Sequence, residues 1–310
     1  MVGDRCHRSS SPLPFAAMTT KVSTVAVVGG GLMGAGIAEA VLMAGLTVTV
    51  REIPEGLDRT RGRLTGAVDT AVRKGKLDAA ERDDALRRLT VTADLEEIGG
   101  ADLVIEAVPE IVDLKLSLLT TIHGIVSDST IIASNTSSIP IAQLASVVTA
   151  RGRVVGLHFF SPVPVMPVVE IVRALDTAEE TVESARAFVH QLGKQPIVTK
   201  DRSGFIVNML LTPYLVGAVR MYEEGFASRE DIDRGMKGGA GHPMGPLELC
   251  DFIGLDVIYA VCNSLYDEFK REEYAPPPLI KRMIASGRLG RKSGRGFYEY
   301  DGGSSNGNRA

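Results

Sequence analysis

The chain has 310 residues, of which 45% are apolar and 23% charged, with a formal net charge of −4 at pH 7. That length can bury a large core and divides into about two domains, while a mildly acidic balance without a long basic block excludes a nucleic-acid footprint. Cys6, Cys250 and Cys262 fit neither a disulfide framework nor zinc-ligand spacing, so a reducing, cytoplasmic setting is expected and no metal.

Residues 1–20 are rich in Ser, Pro and Arg, with no sustained apolar or amphipathic stretch, and read as an upstream start or a disordered leader. A first strand over 22–28 runs into Val28-Gly29-Gly30-Gly31-Leu32-Met33-Gly34-Ala35-Gly36, and an apolar-periodic stretch follows over 37–44. This is G-x-G-x-x-G between strand and helix, the setting of a dinucleotide-binding turn. Gly29 allows the tight turn, Gly31 lets a pyrophosphate approach the backbone, and Gly34 lets helix and strand pack closely. The helix start at Leu32 and Met33 offers unpaired N–H groups to the phosphates.

The next strand, 46–50, is followed by Glu52, about 20 residues beyond the glycines, where a carboxylate accepts from the ribose 2′-OH. That favours NAD. Arg51 beside it would welcome a 2′-phosphate, so NADP stays open, as does an ordinary solvated carboxylate at a strand end. Residues 54–88 carry two helical patterns broken near Gly75-Lys76-Leu77-Asp78, a helical hairpin inserted into the sheet domain. Its basic residues, Arg59, Arg61, Arg63, Arg73, Lys74 and Lys76, suit either a dock for a phosphate-bearing substrate tail or a solvated face of paired charges.

Strands over 89–92, 103–106, 130–133, 154–157, 168–172 and 197–199 continue the alternation, which implies a mostly parallel sheet with helices on both faces. Ligands of such sheets bind outside the carboxyl ends of the strands. Three polar motifs lie there: Glu106-Ala107-Val108-Pro109-Glu110 with Lys115 in the next helix, Ser134-Asn135-Thr136-Ser137-Ser138, and His158-Phe159-Phe160. His158 is the candidate acid/base, since imidazole titrates at about 6.5. Glu170 lies in an otherwise apolar strand, where a carboxylate needs a partner, and a histidine would satisfy it. A core histidine bonded to a carbonyl and a strand-edge glutamate in water are the plainer alternatives.

After Asp201-Arg202-Ser203-Gly204 the strand signal stops, and helical patterns run to about Leu289. The expected division is a nucleotide-binding domain over 21–201, a helical domain over 202–301 and a disordered tail over 302–310. The apolar stretch 205–221 contains Asn208, Thr212-Pro213 and Gly217, so it reads as a buried helix rather than a membrane span, and no membrane partner is expected. Asn208 must find hydrogen bonds if buried, either across the cleft or between helices. His242, in a turn before a helix, reads as structural.

Taken together, these motifs resemble the L-3-hydroxyacyl-CoA dehydrogenases, the short bacterial 3-hydroxybutyryl-CoA dehydrogenases among them. The likeness rests on the glycine turn, residues 104–110 and 133–140, Gly156-Leu157-His158-Phe159-Phe160, Asp201-Arg202-Ser203-Gly204-Phe205-Ile206-Val207-Asn208, His242-Pro243-Met244-Gly245-Pro246 and residues 289–298, and spans about 22–300. The resemblance implies an α/β fold: an N-terminal Rossmann-type doubly wound sheet with the hairpin insertion, plus an all-α C-terminal domain that provides a homodimer contact. It implies an acyl-CoA thioester substrate in the cleft, NAD as cofactor, His158 as base with Glu170 as its partner, and Ser137 and Asn208 on the C3 oxygen. It further puts Glu52, Glu110, Lys115, Ser137 and Lys292 around the cofactor.

Glu52 stands where aspartate is common in that family, and Ser161 where asparagine usually follows the two phenylalanines. The first changes reach by one methylene; the second puts one cofactor or loop contact in doubt. The rival readings are a dehydrogenase of a free hydroxy acid on the same fold, and an NAD-binding sensor without turnover.

Overall fold

A computed structural model describes residues 21–300; the expected leader and the expected tail fall outside the described residues. The strands β1 (Thr24–Val28), β2 (Thr47–Arg51), β3 (Leu89–Thr92), β4 (Leu103–Glu106), β5 (Ile131–Ser134), β6 (Val154–Phe159), β7 (Val168–Arg173) and β8 (Gln195–Lys200) form one sheet in the order β3-β2-β1-β4-β5-β6-β7-β8. All neighbours pair in parallel except β6 with β7, so the last two strands run against the other six. The order reverses between β1 and β4, and that switch point opens the crevice where ligands of doubly wound sheets bind.

The interleaved helices are α1 (Leu32–Met43), α2 (Leu57–Arg73), α3 (Ala79–Arg87), α4 (Val112–Ile125), α5 (Ile141–Ala145) and α6 (Glu179–Gln191). Period-two alternation sorts the strand side chains between two cores. Val25 and Val27 of β1 join α1, α2 and α6 on one face, while Ala26 and Val28 join α4 and α5 on the other. Burial on both faces explains why these strands are nearly continuous apolar runs.

The inserted hairpin is α2 and α3. Thr60, Leu64, Val68 and Ala71 form the buried stripe of α2 at helical spacing. The break falls where Asp78 caps α3, its carboxylate accepting from Glu81 N while Glu81 accepts from Asp78 N, both at 2.8 Å.

The remaining elements are helical: α7 (Val207–Glu223), α8 (Arg229–Ala240), α9 (Pro246–Ile253), α10 (Leu255–Phe269) and α11 (Pro278–Ala285), around a third core. Two buried aspartates tie it together. Asp233 accepts from the α9 amides of Leu247 and Glu248 and from Tyr298 Oη, and Asp251 accepts from Phe297 N, Tyr298 N and Tyr300 Oη. His242 accordingly has a structural contact, its Nδ1 lying 3.0 Å from Tyr214 Oη. Among the described residues no single helix is long and apolar enough to cross a membrane; α9 and α10 pass that test only as a pair bent by 97°.

Close packing at the glycine turn gives a sharp stability test. A Cβ on Gly34 would lie 1.7 Å from Gly29 O, a backbone atom that cannot swing aside. Gly34→Ala is therefore expected to cost at least about 3 kcal/mol, at the upper end of overpacking penalties, and to weaken NADH binding as α1 is pushed from β1. A thermal melt and an NADH titration check both effects.

Candidate active site

The cofactor side of the crevice is built on the turn after β1. Gly29 adopts φ +105°, and Gly29 N donates to Arg51 O at 2.9 Å, which binds the turn to β2. The next peptide is held from both sides: Gly30 N donates to Glu52 Oε2 at 2.7 Å, and buried Thr60 of α2 donates to Gly30 O at 3.2 Å. A Cβ on Gly31, by contrast, would meet no atom within 4 Å, so internal packing does not call for that glycine. The α1 N-terminus at Leu32 and Met33 has no side-chain cap and no acidic residue in its first turn. A pyrophosphate fits this cradle: bare N–H groups, a favourable dipole and a backbone it can approach. Glu52 stands at the carboxyl end of β2, its oxygens accepting from Gly30 N and Ile53 N at 2.7 Å each. A carboxylate has about four acceptor sites, so it keeps capacity for a ribose hydroxyl.

Across the switch point, a buried ion pair shapes the loop after β5. Glu106 and Lys115 are 0% and 1% exposed and lie 2.7 Å apart. Lys115 Nζ donates to Glu106 Oε1 and Val108 O and forms an ion pair with Glu110 Oε2 at 3.2 Å. Lys115 therefore presents no free ammonium and instead holds Glu110 in place. Glu110 Oε1 in turn collects Thr136 Oγ1 at 2.6 Å, Ser137 N at 3.0 Å, and Ser138 N and Oγ at 3.2 and 2.9 Å. Burial raises the Glu110 carboxyl, but Lys115 and the hydrogen bonds from Thr136, Ser137 and Ser138 outweigh it and hold the group below the usual carboxylate range. Its hold on the loop is thus full above that range and is lost as the pH falls through the lowered value.

The third motif brings an imidazole and a carboxylate together. His158 and Glu170 are direct register partners in the antiparallel pair β6/β7, so their side chains leave the same face side by side. His158 Nδ1 lies 2.6 Å from Glu170 Oε2, with the two side chains 8% and 0% exposed. A carboxylate only accepts, so Nδ1 carries the proton and Nε2 is left as the basic lone pair. Among the described residues Nε2 has no partner, and it is not among the sealed, unsatisfied atoms. The ring is walled by Phe160 and Phe205, centroids 4.6 and 5.4 Å away. Asn135 Oδ1 accepts from Phe159 N at 2.9 Å, joining the serine-rich loop to the strand that carries His158.

Ser137 Oγ and the Asn208 amide are half-buried and have no hydrogen-bond partner among the described residues. Asn208 follows Val207, whose N–H binds Glu170, which puts it beside the dyad. Lys292 is held by an ion pair of its own. Its Nζ pairs at 2.6 Å with Asp256 at the start of α10, so its partner is in the helical part and not at the glycine turn.

Sequence reasoning missed three supporting residues. Thr60 grips the glycine turn from the hairpin, and its only signal was a polar residue on the apolar stripe of α2. Buried Lys194 donates to Val163 O and Met166 O at 2.6 and 2.8 Å, fastening the proline-rich loop between β6 and β7. Burial lowers its pKa, and nothing in its local sequence marks it. Phe205 was read as one more apolar helical residue.

A sheet of this order, with a phosphate-ready glycine turn at its switch point and an imidazole–carboxylate pair on the same edge, defines a Rossmann-type NAD-dependent dehydrogenase. Comparison with known proteins then gives the family. Residues 24–202 match the NAD binding domain of 3-hydroxyacyl-CoA dehydrogenase, and residues 204–300 match its C-terminal domain. The chain belongs to the 3-hydroxyacyl-CoA dehydrogenase family. It is 47% identical over 286 residues to a Mycobacterium tuberculosis 3-hydroxybutyryl-CoA dehydrogenase, covering 91% of this chain and all of that one. Among solved structures, M. tuberculosis FadB2 superposes with a TM-score of 0.88 at 47% identity, covering 91% of this chain and 100% of that chain. The (S)-3-hydroxybutyryl-CoA dehydrogenase PaaH1 from Ralstonia eutropha superposes with a TM-score of 0.87 at 44% identity and the same coverage.

Proposed function

We propose that this enzyme reversibly oxidises (S)-3-hydroxybutyryl-CoA to the 3-oxoacyl-CoA, with His158 as the general base. The observation that carries this reading is the buried 2.6 Å contact between His158 Nδ1 and Glu170, which leaves Nε2 free to accept a proton. The names of the relatives supply the thioester. His158 Nε2 takes the C3 hydroxyl proton as the carbonyl forms, and Glu170 stabilises the imidazolium; in the other direction His158 returns that proton to the C3 oxygen. Bound NAD supplies the hydride acceptor. Ser137 and Asn208 hold the C3 oxygen, while Glu52, Glu110 and the turn residues Gly29, Gly31, Leu32, Met33 and Gly34 hold the cofactor.

The hairpin is proposed as the dock for the phosphates of the CoA tail. Arg59 and Arg63 on α2 are its candidate cations, whereas Lys74 and Lys76 face Glu39 and offset part of the effect of burial on its carboxyl. The reading includes a cytoplasmic homodimer acting in fatty-acid metabolism, joined through the helical part, where Leu210, Phe226, Phe252 and Val257 are exposed apolar side chains.

Steady-state NADH consumption tests the reaction. Acetoacetyl-CoA is expected to be reduced efficiently, free acetoacetate hardly at all, and NADPH to be a poor substitute because Glu52 repels a 2′-phosphate. Equal rates on the free acid would point to the rival class of free hydroxy-acid dehydrogenases.

A further inference from the structure

Glu170 divides its bonding between two elements. Oε2 faces His158, and Oε1 accepts from Ile206 N and Val207 N, each at 2.9 Å. Those amides open α7, a helix of 17 residues whose first donors have no partner within the helix and whose dipole adds partial positive charge at this end. A buried carboxylate meets them because the chain turns abruptly just before, through Gly204 at φ 78° and then Phe205. That residue adopts φ 49°, the left-handed region that a bulky side chain rarely enters. The conformation is held by the ring, which is 3% exposed, belongs to the core shared with α4 and α5, and lies 5.4 Å from the His158 ring.

From this juxtaposition we propose that Phe205 is a positioning residue for the proton transfer. Its backbone delivers two amides to Glu170, and its ring walls the imidazole; the inference rests on reading His158 as the base. Among the described residues no other ionisable side chain pairs with Glu170, whose neighbour on β8 is Ile197. The amides and His158 therefore make up its polar surroundings. When the amides are withdrawn, His158 alone faces the negative charge, and the acid limb of the oxidation profile moves upward. Asn208 lies one residue beyond the second amide, so the same turn also fixes how it approaches the site.

The test compares Phe205→Ala, Phe205→Gly and Phe205→Leu, with His158→Gln as reference, by kcat, KM and the pH profile of kcat/KM, on protein shown to be folded by thermal melt. Alanine removes the ring but keeps a Cβ in the left-handed turn. It is expected to lower kcat about 10-fold with KM for NAD within about 2-fold, and to move the acid limb up by about half a pH unit or more. Glycine tolerates the turn without the ring, so its kcat falls while its acid limb stays close to that of the unmodified enzyme. Leucine restores the buried bulk and most of the activity. A folded alanine variant with an unmoved profile and kcat overturns the proposal. Should that variant not fold, the other pair decides: kcat of the glycine variant about 5-fold or more below that of the leucine variant supports the role, and equal values overturn it. His158→Gln separates the two levels. Normal turnover there removes the base itself, whereas an inactive His158→Gln beside an unaltered Phe205→Ala removes only the positioning role.

Discussion

Replacing His158 by glutamine is expected to lower kcat by roughly 10²–10⁴ while NADH still binds. Glutamine approximates the reach of imidazole and can still bond to Glu170, so the buried carboxylate keeps a partner. What disappears is the imidazole nitrogen proposed to take and return the proton. Cofactor binding is expected to be spared because the proposed determinants lie elsewhere: the glycine turn joins β1 to α1 and Glu52 follows β2, whereas His158 belongs to β6. NADH fluorescence titration and steady-state reduction of acetoacetyl-CoA read the two effects separately. Turnover close to that of the unmodified enzyme would take His158 out of the mechanism.

The largest expected loss of stability comes from Lys115→Met. The methionine fits the space, but Glu106, 0% exposed, is left charged with only Val108 N at 2.7 Å and Ser134 Oγ at 2.6 Å to stabilise it. Breaking one side of a buried pair costs about 3–5 kcal/mol, and removing both sides with apolar residues costs far less. The single variant should therefore melt about 10 °C lower, and the double variant Lys115→Met with Glu106→Leu should recover much of that loss. A second consequence follows from the loop. Without Lys115, Glu110 loses its only ion-pair partner among the described residues and its grip on the Ser137 and Ser138 amides slackens, so KM for NADH rises. Scanning calorimetry of both variants measures the first effect; an undiminished melting temperature for the single variant would show that the pair is not structurally important.

The fold is legible because its strands are buried on both faces. Apolar runs over the first two-thirds mark all eight, and no boundary moves by more than two residues in the structure. The dyad is legible for a related reason: a glutamate amid Val168-Val169-Ile171-Val172 demands a partner, and the candidate imidazole lies on the strand before it. Their register was not legible. It depends on how the proline-rich loop reverses the chain, and that loop is fastened by Lys194, far away in sequence.

Other features follow from geometry that residue type does not encode. Lys115 sits on a helix in a pattern any solvated lysine shares, and only the packing of α4 against the sheet buries it on Glu106. The left-handed turn at Phe205 is silent for the same reason, since apolar patterning records burial and not φ. The predicted helix from residue 205 accordingly begins two residues later, at Val207. Lys292 carried an expectation from family resemblance alone, and its side chain pairs with Asp256.

The crystal structure of a ternary complex with NAD and a hydroxyacyl-CoA or its 3-oxo analogue would test the central claim most directly. The proton-transfer role of His158 requires its Nε2 within about 2.6–3.2 Å of the C3 oxygen, with Nδ1 still on Glu170. An ordered substrate whose C3 oxygen lies beyond hydrogen-bond reach of Nε2, with another side chain in its place, would contradict it.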